Sequence, residues 1–127
     1  MLCSARLLSV AVLACMAEVS PAQRQLVEVT LPNDRPLVRQ LTAPPGEFVE
    51  LCTRLRPGRA LDWAFESEAP VAFNTHFHEG GAVKYPESLS AIMAARGRLA
   101  PSASHDYCWL WSNLGAEPVN IRVRVTP

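Results

Sequence analysis

The sequence predicts an all-β fold, an antiparallel β-sandwich of the jelly-roll type with seven to nine short strands after an N-terminal leader. Short runs in which apolar and polar residues alternate recur along the chain, and clusters of Pro, Gly, Asn and Asp separate them. No segment shows a convincing amphipathic helical period. The 127 residues leave room for one such domain, since a single sandwich takes about 100 residues.

The chain begins with a predicted export signal. Arg6 precedes an unbroken apolar run that is shorter than the roughly 20 residues a membrane-spanning helix needs. Two processing routes stay open. Cleavage after Ala22 would make residues 1–22 a signal peptide, whereas lipidation would end the signal before Cys15, because Val12-Leu13-Ala14-Cys15 resembles a bacterial lipobox. A third interpretation makes Cys15 an apolar position of the signal core.

Either route predicts an exported protein, located in the periplasm or anchored as an outer-membrane lipoprotein. The membrane would then be contacted only through a lipid at Cys15. The remainder, residues 24–127, is predicted to form one domain.

Three strands are predicted at the start of this domain. The runs Leu26 to Leu31 and Leu37 to Thr42 are joined by a Pro/Asn/Asp cluster, which indicates a hairpin or a pair of edge strands. Phe48 to Leu55 is the third strand. Prolines fall between these runs, as a sheet requires, because proline cannot donate a ladder hydrogen bond.

The central predicted segment is Leu61 to Gly81. It consists of two alternating runs interrupted at Ala69-Pro70. Since successive side chains on a strand point to opposite faces, the aromatic residues of both runs are expected to face one core. The face turned away from the core is expected to carry the polar set Asp62, Glu66, Asn74, His76 and His78.

The C-terminal part predicts further strands. Val83 to Tyr85 is a short strand, and Glu87 to Ala100 is expected to be a loop or short helix leading into a strand, because its centre is rich in helix formers. Asp106 to Asn113 is an aromatic strand. Val119 to Thr126 alternates as a half-buried antiparallel strand does.

Two cysteines remain once the leader is removed. Cys52 and Cys108 lie on two predicted strands, and in an oxidising compartment they are predicted to form a disulfide. The alternative is a pair of buried free thiols. No CxxC spacing occurs, which disfavours thiol exchange and covalent haem attachment.

The clearest chemical pattern is His76-Phe77-His78-Glu79. Residues i and i+2 of a strand lie on the same side about 7 Å apart, so the two imidazoles can converge on one ion, with Glu79 or His105 as a further ligand. Such ligands suit zinc or copper(II). The alternative is that both histidines are solvated and simply titrate.

Other chemistry has little support. Lys+Arg and Asp+Glu each number 12 and are scattered, so the basic patch of a nucleic-acid-binding protein is absent from the sequence. Neither a GxSxG elbow nor a phosphate-binding loop occurs, so no enzyme is predicted. Trp109 and Trp111 could stack on a sugar or an aromatic ligand, but their pattern favours core packing.

Several short motifs follow one another in the order and spacing of one known family. They are Trp63-x-Phe65, Val71-x-Phe73, Gly97-x-Leu99, Tyr107-Cys108 and Asn113. Together they resemble the GOLD domain, an antiparallel β-sandwich of lumenal cargo adaptors and some lipid-transfer proteins. The resemblance implies a non-enzymatic binding module, with Cys52 and Cys108 roughly where the adaptors carry a disulfide.

The resemblance covers about residues 48–125, and the chain departs from the family pattern within that range. Trp109-Leu110-Trp111 is inserted before Asn113, and the element His76-x-His78-Glu79 is additional. The coiled coil and membrane tail of the adaptors are absent from this sequence.

Two functions follow from the sequence. The first is a non-enzymatic, exported binding or scaffolding module of the cell envelope, with an unknown protein or small ligand as its partner. The alternative is a periplasmic protein that binds zinc or copper through His76 and His78. No other cofactor is predicted.

Overall fold

The structure, a computed structural model, describes residues 25–127. Over this range the chain forms seven strands: β1 (Leu26–Glu28), β2 (Leu37–Ala43), β3 (Phe48–Leu55), β4 (Leu61–Glu79), β5 (Ala82–Leu99), β6 (His105–Asn113) and β7 (Val119–Thr126). The all-β prediction and its strand count are confirmed. The predicted export signal and Cys15 lie outside the described residues. Among the residues that are described, no helix is long and apolar enough to cross a membrane.

One curled sheet contains all seven strands because β4 is shared between two halves. Residues 62–67 of β4 pair with β7, and residues 71–77 pair with β6. The sheet order is β1-β3-β6-β4-β7-β2, with β5 paired along β4. Every pairing is antiparallel except that of β1 with β3, which is parallel. When one strand changes its pairing partner along its length, the sheet can fold back over a single core.

The bend lies where the sequence shows Ala69-Pro70. The ladder between β4 and β5 is irregular from Glu66 to Val71, and Ser67 donates a hydrogen bond of 2.7 Å to the carbonyl of Ala69. Proline is tolerated at such a bulge because no ladder donor is needed there. The two predicted runs are therefore one long strand with a bend.

The first two strands lie at opposite edges of the sheet. β1 pairs with β3 and β2 pairs with β7, so these strands do not form a hairpin with each other. Of the two arrangements that the sequence left open, the pair of edge strands is the one observed.

The loop or short helix predicted within residues 87–100 is wrong, because β5 is one continuous strand from Ala82 to Leu99. Pairing with β4 along its whole length overrides the local preference of the alanine-rich stretch for helix. At two places the ladder advances by two residues along β4 and by three residues along β5. One place is near Pro86 and the other is near Ala91, whose φ is 53°. Bulges on an edge strand accommodate both irregularities.

Aromatic side chains from both halves of β4 meet in the core. The ring centroids of Phe65 and Phe73 are 4.7 Å apart, and Trp111 of β6 lies 5.6 Å from each of them. Trp109 and Trp111 are completely buried, which confirms their assignment to the core. The strands that bear His76 and its neighbours thus rest on a rigid aromatic layer.

Candidate metal centre

The outer face of the half-sheet β3-β6-β4 carries a polar cluster around a disulfide. Cys52 of β3 lies directly opposite Cys108 of β6, and Cys108 lies opposite His76 of β4. The Cα atoms of the two cysteines are 4.1 Å apart and the predicted disulfide is present, which confirms this pairing. The register therefore places His76 next to the disulfide.

A glutamate from β3 joins His76 on this face. Glu50 and Asn74 both lie opposite Leu110, one on each side of it, so Glu50 is one row of the ladder away from His76. Nε2 of His76 is 3.6 Å from Oε2 of Glu50. The side chain of His76 is 9% exposed and that of Glu50 is 18% exposed, so both groups are largely withdrawn from water.

The other ring nitrogen of His76 is held by its neighbour on β4. Nδ1 lies 2.9 Å from Oδ1 of Asn74. An amide oxygen can only accept a hydrogen bond, so in this arrangement His76 carries its proton on Nδ1. Nε2 then presents a lone pair towards Glu50.

Burial acts on both groups in the same sense, disfavouring the charged form. It lowers the pKa of His76, and the nearby His78 lowers that pKa further. Burial also raises the pKa of Glu50, although His78 partly opposes this effect. Nε2 of His76 and the carboxyl oxygen of Glu50 are two atoms of metal-ligand type that face each other. Such a pair suits a shared cation.

His78 and Tyr85 lie beside this pair. The ring centroid of His78 is 5.6 Å from that of His76, and the ring of Tyr85 on β5 is 6.1 Å from it. His78 is exposed, whereas His76 is buried. The expectation of two solvated histidines is thus wrong for His76, because Glu50 and the neighbouring strands cover its ring.

A third group of metal-ligand type approaches the same point. Ligand-type atoms of Glu50, His76 and Cys108 all lie within 4.8 Å of one another. The sulfur of Cys108 is bonded to Cys52, so in this form of the protein it is not a thiolate. In the oxidised protein the ligand-type atoms that meet at this point are therefore those of Glu50 and His76, with the ring of His78 beside them.

The structure does not bring the four sequence-predicted ligands together. His105 stacks on Phe77, with ring centroids 4.9 Å apart, and its Nε2 is 3.4 Å from Oε2 of Glu79. Phe77 and Glu79 alternate with His76 and His78 along β4, so they point to the opposite face of the sheet. The histidines of the outer face are thereby separated from Glu79 and His105.

The ion-pair distance between His105 and Glu79 does not correspond to a well-formed hydrogen bond. Nε2 of His105 is buried and has no hydrogen-bond partner among residues 25–127. We interpret His105 and Glu79 as a close electrostatic contact at the edge of the core. The imidazole ring of His105 is at the same time packed flat against Phe77.

The residue that sequence reasoning missed is Glu50. It lies two positions before Cys52 and therefore on the same face of β3, which is a readable signal. Placing it beside His76, however, requires the register of β3, β6 and β4.

No family model matches the sequence, and no curated protein matches it significantly. Solved structures with a similar fold do exist. The Yersinia pseudotuberculosis-derived mitogen has a TM-score of 0.58 at 13% identity, over 73% of this chain and 86% of the mitogen.

Two further neighbours come from other bacteria. PliG of Aeromonas hydrophila, a periplasmic inhibitor of g-type lysozyme, has a TM-score of 0.52 at 15% identity, over 80% of this chain and 96% of PliG. CorA of Methylomicrobium album BG8, a surface-associated copper-binding protein, has a TM-score of 0.51 at 9% identity, over 81% of this chain and 99% of CorA. At these identities the similarity concerns the fold, which is β-sandwich-like; it does not single out the GOLD domain.

Proposed function

We propose that this chain is an exported, non-enzymatic binding protein whose ligand is a zinc or copper(II) ion, held on the outer face by His76, His78 and Glu50. One observation carries the proposal. Nε2 of His76 and Oε2 of Glu50 face each other at 3.6 Å in a largely buried position, while Asn74 occupies the other ring nitrogen.

The spacing fits a bound ion. Zinc binds histidine nitrogen and carboxylate oxygen at about 2.0–2.2 Å, so two ligand atoms of a tetrahedral ion lie about 3.3–3.6 Å apart. The observed separation of 3.6 Å lies at the upper end of this range. Asn74 plays the supporting role that metal-bound histidines usually require, because it fixes the tautomer and the ring orientation.

His78 supplies the second imidazole. It is exposed and follows His76 by two residues, so its side chain is free to turn towards an ion at Nε2 of His76. Two imidazoles and one carboxylate are a ligand set that zinc and copper(II) both accept, and water would fill a remaining position. We expect no other cofactor.

The export proposal has separate support. The disulfide indicates an oxidising compartment, and both PliG and CorA are bacterial proteins described as periplasmic or surface-associated. We propose residues 1–22 as the signal peptide, or lipidation at Cys15 as the alternative, followed by one domain over residues 24–127. A protein partner at the cell envelope is compatible with metal binding.

Calorimetric titration of the disulfide-bonded protein with Zn(II) and Cu(II) tests the proposal. We expect saturable binding, micromolar or tighter, that the double variant His76→Ala/His78→Ala loses and that Glu50→Gln weakens. The matched control is Glu79→Ala/His105→Ala, which removes the same kinds of group from the other face and should bind like the parent protein.

Two results would contradict the proposal. Absence of saturable binding by the parent protein would remove the metal function and leave a binding module for a protein or small ligand. Equal loss of affinity in the control double variant would show that the outer face is not the site.

A further inference from the structure

We propose that the metal centre has a second form, created when the Cys52–Cys108 disulfide is reduced, in which the Cys108 thiolate binds the metal beside His76 and Glu50. This inference rests on the proposed function, because it uses the same histidine and carboxylate as ligands. It adds a sulfur ligand and makes metal binding depend on the redox state of the protein.

The position of Cys108 carries the inference. Its sulfur, a ring nitrogen of His76 and a carboxylate oxygen of Glu50 all lie within 4.8 Å of one another. Cys108 is held there by the backbone ladders of β6 with β3 and of β6 with β4, both of which continue on either side of it. The thiolate would therefore stay close to the ion after the disulfide is cleaved, without any movement of the backbone.

The burial of the two cysteines is equal, since each is 7% exposed. Cys52 also borders a groove of about 290 Å³, together with Thr53, Arg54, Asp106 and residues 28–30. When a reductant attacks the sulfur of Cys52, Cys108 leaves as the thiolate, next to the other two ligands.

The reduction is an ordinary thiol-disulfide exchange with a dithiol reductant. One thiolate of the reductant attacks Cys52, the Cys52–Cys108 bond breaks, and Cys108 leaves with the electron pair. The second thiol of the reductant then displaces Cys52, so the reductant ends as a disulfide and both cysteines end as thiols once protons are taken up. When a metal binds, Cys108 releases its proton to solvent.

The added thiolate changes what the site prefers. Glu50, His76 and His78 offer oxygen and nitrogen, whereas the reduced centre adds a soft sulfur ligand that favours zinc and copper(I). With all four groups the site would have a closed tetrahedral set, which is typical of tightly bound zinc. Reduction is therefore expected to tighten zinc binding.

The test uses the protein without its predicted leader, residues 24–127, in which Cys52 and Cys108 are the two cysteines, with Co(II) as a spectroscopic substitute for zinc and two single variants. Cys52→Ser keeps Cys108 as a free thiol, and Cys108→Ser keeps Cys52. Both variants lack the disulfide and lose the same cross-link. We expect Cys52→Ser to show thiolate-to-cobalt absorption in the near ultraviolet and to bind Co(II) at least about tenfold more tightly than Cys108→Ser, which should lack the band.

Alkylation of the reduced parent protein provides a second measurement, which does not depend on the stability of either variant. Mass spectrometry should show that Zn(II) protects Cys108 from alkylation much more than it protects Cys52. Equal reaction of both cysteines with and without zinc, or loss of the folded near-ultraviolet circular dichroism on reduction, would overturn the inference.

The two proposals fail in different ways. If the oxidised protein binds Zn(II) through His76 and His78 but Cys52→Ser shows no thiolate band, the inference is wrong and the proposed function stands. If the oxidised protein binds nothing, while Cys52→Ser shows a band that the further change His76→Ala removes, the thiolate site is supported and the metal function of the oxidised form is wrong.

Discussion

The protein contains two histidine–glutamate pairs that are alike in distance and differ in surroundings. His76 and Glu50 are 3.6 Å apart with side chains 9% and 18% exposed, whereas His105 and Glu79 are 3.4 Å apart with side chains 21% and 56% exposed. β4 contributes a residue to each pair, His76 on its outer face and Glu79 on the other. One strand thus separates two similar contacts by the alternation of its side chains.

The surroundings of the rings decide what each pair can do. His76 has its Nδ1 held by Asn74 and directs Nε2 towards a carboxylate, which is the arrangement of a metal ligand. The ring of His105 is stacked on Phe77 at an interplanar angle of 23° and also lies near Tyr107, which is a packing arrangement. The distance between histidine and glutamate therefore does not distinguish the two pairs, whereas the surroundings of each imidazole ring do.

The largest effect that would sharpen this comparison is expected from Asn74→Ala. Removing the amide frees Nδ1 and lets the ring of His76 change tautomer and rotate, so the affinity for Zn(II) should fall by about 10- to 100-fold. This corresponds to about 1.4–2.8 kcal/mol. Competition with a coloured chelator would measure it, with Glu79→Gln as the control of unchanged affinity. An Asn74→Ala variant that binds as tightly as the parent protein would contradict the supporting role of the amide.

A smaller effect is expected in the pH dependence of stability, where the two members of the outer pair act in opposite directions. Burial lowers the pKa of His76 below its ordinary value of 6.5, so on acidification the unfolded chain takes up this proton first. The contribution of His76 is therefore present above pH 6.5 and is lost as the pH falls through that value and towards the lowered pKa. Burial raises the pKa of Glu50 above 4.5, so the folded chain takes up that proton first and gains stability as the pH falls towards 4.5.

Urea unfolding between about pH 7 and about pH 5 separates the two contributions. His76→Ala should reduce the loss of stability on acidification, whereas Glu50→Gln should enlarge it, because only the opposing contribution is removed. Equal slopes in the parent protein and in both variants would show that the burial of this pair has no bearing on protonation.

The sequence predicted much of the fold because the relevant signals are local. The alternation of apolar and polar residues predicts β3 and β7 with the observed bounds, and turn residues mark where each of these strands begins or ends. β5 could not be predicted in the same way, since its alanine-rich centre is extended only through pairing with β4. The bend of β4 likewise reads as a break in the sequence and becomes visible as one strand only when both of its partners are known.

Only the part of the candidate site that depends on local spacing could be predicted from the sequence. The spacing of His76 and His78 places both on one face, and the alternation that does so also places Glu79 on the other. Glu50 comes from a strand that is distant in sequence, and only the register through β6 brings it to His76. His105 lies at the start of β6, where its ring packs on Phe77, a contact that no spacing reveals.

The smallest effect is expected from Glu79→Gln. This change tests the comparison at the second pair, that of His105 and Glu79. The carboxylate of Glu79 is 56% exposed, so its contact with His105 is screened by water and should contribute less than about 0.5 kcal/mol to stability. Removing the ring itself, in His105→Ala, should cost about 1 kcal/mol through lost aromatic contact with Phe77. Urea unfolding of both variants measures the difference. If Glu79→Gln proves as destabilising as His105→Ala, the charge of this pair matters as much as its packing, and the distinction drawn between the two faces of β4 would fail.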